Sequence, residues 1–141
     1  MSSNNTESDI LIEPAKTLTT GGTEELNSVL EELHEACLEI QLSMVATRDG
    51  LTMASLGTVL EPDQVGAMCS ELQTVCDKTA NQLEQGALEQ MLLKCSNGYL
   101  LLTTAGDYAV LAVMSKPDAN LGLVIIESQR AANAIQRSIS G

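Results

Sequence analysis

A chain of 141 residues, 44% hydrophobic and 18% charged, has the make-up of one globular domain and can bury roughly 68–70% of its unfolded surface. Its net charge of −12, from 19 acidic and 7 Lys or Arg residues, leaves little phosphate neutralisation on offer and argues against nucleic acid or an anionic membrane as partner. With 2 Tyr and no Phe or Trp there is no stacking platform for bases, and the core must be built from Leu, Val, Ile, Met, Ala and Cys.

Residues 1–22 open with "MSSNNTESD" and close with "TTGG". Their Ser, Asn and Thr content predicts a mobile tail, with the domain proper at 23–141. No positive n-region precedes an apolar stretch here, and no apolar run is long enough to span a bilayer. "TEELNSVLEELHEACLEI" then places Leu26, Val29, Leu30, Leu33, Cys37 and Ile40 at helical spacing, with Thr23 as the expected N-cap.

"VATRDGLTMASLG" reads as a hairpin over Asp49-Gly50, with a type I′ turn and a positive φ at Gly50. A second helix follows in "LEPDQVGAMCSELQTVCDKTANQLEQG", with Pro62 in its first turn and Gly86 past its end. Val65, Met68, Cys69, Leu72, Val75, Cys76, Thr79 and Leu83 form its apolar stripe, which predicts the buried face. The opposite side carries the small residues Gly66, Ala67, Ser70 and Thr74, a surface that another helix could approach closely.

Three strands come next. "ALEQMLLKC" and "YLLLTTA" are joined at Asn97-Gly98, and "YAVLAVM" follows the turn at 105–107. The row Met91, Leu92, Leu93 would be an aggregation template if left as an open edge, so it predicts pairing with a second copy. "LGLVII" alone fits a strand, but its continuation through Ala131, Ala132 and Ile135 favours one long helix capped by Asp118. The predicted fold is an α+β sandwich: a five-stranded antiparallel sheet with helices on both faces, in the order α-β-β-α-β-β-β-α.

Catalytic chemistry finds no foothold in this chain. No phosphate-cradling G-x-x-x-x-G-K-[ST] or dinucleotide G-x-G-x-x-G occurs, and His34 is the single histidine, so no two-histidine metal motif can form. Cys37, Cys69, Cys76 and Cys95 make no Cys-x-x-Cys pair and read as free thiols in a reducing compartment, the cytoplasm. Neither a cofactor nor a metal is implied.

The element order and three motifs together resemble the roadblock / dynein light chain family. "SMVATRDGLTMASLG" is similar to its first hairpin, "LLKCSNGYLLLTTAGDYAVLAVM" to its three-strand run, and "DANLGLVIIESQRAA" to the opening of its last helix. The resemblance spans about residues 24–140. It implies a non-catalytic dimer in which the second helices lie side by side and the third strands join the two sheets. It also implies a small Ras-like GTPase as partner, as for the bacterial MglB type and its MglA-type GTPase. By position, Gly66, Ser70, Gln73, Thr74, Leu88, Met91 and Leu93 would lie at the dimer interface. Glu71, Asp77, Lys78 and Asn81 would face the partner. Two other classes stay open: a structural subunit with no GTPase, and a small-ligand sensor, for which the strands offer few polar groups beyond Gln41, Ser43, Thr103 and Thr104.

Overall fold

A computed structural model describes residues 14–57 and 61–140, with side chains from residue 23 onward. The elements are α1 (Pro14–Ala36), β1 (Ile40–Thr47), β2 (Thr52–Gly57), α2 (Pro62–Gln82), β3 (Gln90–Cys95), β4 (Gly98–Ala105), β5 (Ala109–Ser115) and α3 (Leu121–Ser140). This is the order read from the sequence. The strands form one antiparallel sheet in the order β2-β1-β5-β4-β3, so β1 and β5 are central and β3 is an edge.

Side-chain alternation along the strands divides the core in two. On one face, Val45, Leu101, Leu111 and Val113 pack against Leu26, Leu30 and Leu33 of α1 and Val124, Ala132 and Ile135 of α3. On the other face, Met44, Ala46, Leu102, Val110 and Ala112 lie under α2, which contributes Cys69. The continuous apolar run of β5 is explained by this double cover, since Ala109–Val113 are all buried.

Three local expectations are corrected. Helix α1 begins at Pro14, so Thr23 lies inside it and is not a cap; residues 1–13 of the expected tail fall outside the described residues. The cap of α3 is Asn120, whose Oδ1 accepts from the Leu123 N–H at 3.2 Å. Asp118 sits instead in the preceding turn, closed by Ala119 N–H to Lys116 O at 3.2 Å.

The third correction concerns the first hairpin. Gly50 N–H donates to Thr47 O at 2.9 Å and Thr47 N–H to Leu51 O at 2.8 Å, which makes a three-residue loop. Asp49 is not in the left-handed region, while Gly50 has φ +98°. The turn is therefore type I followed by a glycine bulge, not type I′. Gly50 also packs on α2: a Cβ there would stand 3.1 Å from Ala67 Cα. Gly50→Val is expected to cost about 1–3 kcal/mol from backbone strain, with a further cost from the crowded helix. Urea titration against the parent checks it.

Candidate functional site

Helix α2 meets the sheet through its small, polar side together with one edge of the expected apolar stripe, Val65, Cys69 and Leu72. Gly66, Cys69, Ser70 and Gln73 are its buried residues. The Ser70 hydroxyl donates to Thr47 O at 2.7 Å, and Gln73 Nε2 donates to Thr104 Oγ1 at 3.0 Å. Small side chains are needed because the backbone comes so close: a Cβ on Gly66 would lie 2.5 Å from Thr52 Oγ1 and 3.3 Å from Gly50 O. Gly66, Ser70 and Gln73 thus face the protomer's own strands.

Half of the expected apolar stripe points outward as a result. Met68 is 53% exposed, Val75 60% and Leu83 65%. Leu72 and Cys76 are half-buried between this ridge and the sheet, and Cys76 Sγ lies 2.9 Å from Met91 Sδ of β3. Beyond α2 the same sheet face continues over exposed Leu93 and Met114 and half-buried Leu100, which its helix leaves uncovered. Periodicity identified these positions but could not say which side of the helix met the sheet.

The other expected contacts separate into structural and free groups. Asp77 is half-buried and its Oδ1 accepts from Leu88 N–H at 3.0 Å, tying the end of α2 to the entry of β3. Thr74 is exposed but its hydroxyl donates to Ser70 O at 2.9 Å, and Asn81 Nδ2 donates to Asp77 O at 2.9 Å. Glu71 and Lys78 stand exposed on the outer surface of α2. Leu88 and Met91 are half-buried and Leu93 is exposed along the β3 edge.

The hairpin tip borders α2 across an open cleft of about 480 Å³, lined by Arg48, Asp49, Ala67, Ser70, Glu71, Thr74 and Val75. The Arg48 guanidinium is held by Gly106 O at 3.1 Å, so this arginine fastens the hairpin to the β4–β5 turn.

Burial pushes the Cys37 and Cys69 thiols up, and the Glu127 and Glu39 carboxylates push Cys37 further, which keeps both protonated and poor nucleophiles. Among the described residues no group of three or more His, Cys, Asp or Glu could hold a metal ion. No described helix is long and apolar enough to cross a membrane.

His34 lies half-buried on α1, with Nε2 2.8 Å from the buried Ser43 hydroxyl of β1, and burial lowers its pKa. Its unfolded pKa is the higher of the two, so the unfolded chain binds more protons as pH falls. This contribution to stability is complete above the unfolded value of ~6.5 and is lost as pH drops through that value toward the folded one. Urea midpoints should decline over that range in the parent and decline less in His34→Gln.

Comparison with known proteins agrees with this architecture. The Roadblock/LC7 domain model matches residues 28–115, and the chain belongs to that family. It is 36% identical over 112 residues to the Methanocaldococcus jannaschii protein MJ0310, covering 79% of this chain and 96% of that one. The figures are the same for MJ1340 of that organism. Among solved structures it resembles Myxococcus xanthus MglB, with TM-score 0.78 and 15% identity over 84% of this chain and 90% of that one. The gliding protein MglB from Thermus thermophilus gives TM-score 0.76 and 19% identity, covering 96% and 98%. A Roadblock/LC7 domain from Streptomyces avermitilis gives 0.74 and 19%, covering 81% and 97%. At these identities the structural likeness establishes the shared fold.

Proposed function

We propose that this protein is a dimeric, non-catalytic adaptor that binds and modulates a small Ras-like GTPase of the MglA type in the cytoplasm. The observation that carries the reading is the apolar surface shared by the outer ridge of α2 and the β3 edge, in a chain of the Roadblock/LC7 family. Pairing β3 with β3 of a second copy would satisfy the open strand edge and bring the two α2 ridges together. The GTPase then meets the polar shoulder of the paired helices, where Glu71 and Lys78 are free to make contacts. Regulation proceeds by holding the switch regions of the GTPase. No arginine finger is assigned, and the Arg48 guanidinium already serves the protomer's own turn.

Capture from native lysate in GTP and in GDP identifies the GTPase, and calorimetric titration measures it. Glu71→Lys and Lys78→Glu should each weaken binding by roughly tenfold, the scale of a specific contact rather than of a rim charge. Such surface changes leave folding stability within about 0.5 kcal/mol, so the loss reads as a contact effect. Asp49→Asn at the hairpin tip should bind as the parent does. Strong loss at Asp49 with none on α2 would move recognition to the hairpin.

A further inference from the structure

We propose that the groove between α3 and the β3 edge, on the sheet face opposite α2, docks an acidic amphipathic segment of a partner protein. The groove has a volume of about 560 Å³ and is lined by Gln90, Ile125, Ile126, Gln129 and Asn133 together with Arg130 and Arg137, and no carboxylate lines it. In a chain of net charge −12 that is a marked local reversal. Arg130 and Arg137 stand two turns apart on α3, and exposed Lys94 shares the β3 face of Gln90, which donates to Ile125 O at 3.2 Å.

Both arginines also border the α1 side of α3, where Glu24 and Glu25 line a cleft with Arg137, and Glu32 and Glu127 line one with Arg130. Arg130 meets Glu127 at 3.5 Å, but its side chain is 72% exposed, and a pair of that kind is worth little in water. One turn N-terminal to Arg130 the surface turns apolar: Ile126 is 59% exposed and Leu123 is exposed on the same helix, while Asn133 lies between the two arginines. An occupant with carboxylates beside apolar residues matches both features. Arginine is also the side chain best suited to hold a carboxylate through two parallel hydrogen bonds.

A flat anionic membrane fits this face poorly. Helix α1 lies beside α3 on the same side of the sheet and exposes Glu24, Glu25, Glu31, Glu32 and Glu35. A lipid surface would meet that acidic row, whereas a single segment can lie along the groove and avoid it. Screening limits the pull of the remaining charge to about 8 Å at physiological ionic strength. This groove lies on the other side of the sheet from the proposed GTPase surface, and its occupancy does not require that GTPase.

A random-peptide display library selected against the full-length protein tests the proposal. The expected result is enrichment of peptides carrying Asp or Glu beside apolar residues. Their affinity should fall at least tenfold in the Arg130→Glu/Arg137→Glu variant and also fall in Ile126→Ser, with both variants keeping the parent's circular dichroism and light-scattering mass. Arg130→Gln/Arg137→Gln should show a smaller loss, which separates missing attraction from added repulsion. Enrichment of basic peptides, no enrichment, or affinity unchanged in the double variants overturns the proposal. So does sedimentation with phosphatidylcholine–phosphatidylglycerol vesicles that the arginines control, which would assign the face to a membrane.

Discussion

If the proposed dimer forms through the α2 ridge, Val75→Glu is expected to convert it into a folded monomer. Val75 is 60% exposed at the middle of the α2 ridge, with Met68 and Leu83 about two turns away on either side. In a two-fold interface every substitution counts twice. Burying one such side chain is worth ~1.5–3 kcal/mol, so its loss costs ~3–6 kcal/mol per dimer, and the dissociation constant rises at least ~100-fold. A buried, unpaired carboxylate adds to that cost. The fold should survive, because Val75 lies outside both core clusters. Light scattering should give the dimer mass for the parent and the monomer mass for the variant, with unchanged helix content by circular dichroism. A parent that is a stable monomer at micromolar concentration would remove the dimer and, with it, the two-helix platform for the GTPase.

The order of elements was legible because each leaves a period in the sequence. Alternating apolar residues around Asp49-Gly50 and Asn97-Gly98 specify hairpins, and the unbroken run in β5 specifies a strand covered on both faces. The finer turn geometry was not legible, because Asp-Gly serves more than one hairpin loop. Here Thr47 makes the choice: its carbonyl takes Gly50 N–H and its hydroxyl takes Leu51 N–H, which closes the three-residue form. The caps erred for a similar reason. Asp118 and Asn120 have similar capping strength, and the Lys116–Ala119 turn decides which of them reaches the helix.

The proposed interaction surface was half legible. The sequence marks α2 as a helix with an apolar side and a small side, and marks β3 as an apolar strand that needs cover. It does not reveal how near the helix sits to the sheet. Once Gly66, Ser70 and Gln73 turn inward, a helical repeat of 3.6 residues turns Met68 and Val75 outward, and Leu83 is exposed at the C-cap beyond them. Asp77 was legible as polar but not as structural, because its partner is a backbone N–H eleven residues ahead.

Gly66→Val separates the two possible meanings of that small side, and it should unfold the protein more readily than any outward substitution on α2. A Cβ at this position meets Thr52 Oγ1 at 2.5 Å, and Thr52 cannot yield freely because its hydroxyl donates to Pro62 O at 2.9 Å. Gly50 O at 3.3 Å and Ala46 Cβ at 3.7 Å close the other directions. Replacing glycine inside a helix would alone gain up to about 1 kcal/mol with Ala, less with a β-branched residue. Overpacking of the three added carbons against a sheet costs ~1–3 kcal/mol, and a displaced Thr52 hydrogen bond adds ~1 kcal/mol, so the net loss should be ~2–3 kcal/mol. Thr74→Val, on the exposed side of the same helix, should stay within about 0.5 kcal/mol. Urea midpoints measure both. If the small side faced the helix of a second copy instead, Gly66→Val would weaken the dimer and leave the protomer's stability intact. Loss of protomer stability therefore assigns Gly66 to the closeness of helix and sheet that turns Val75 outward.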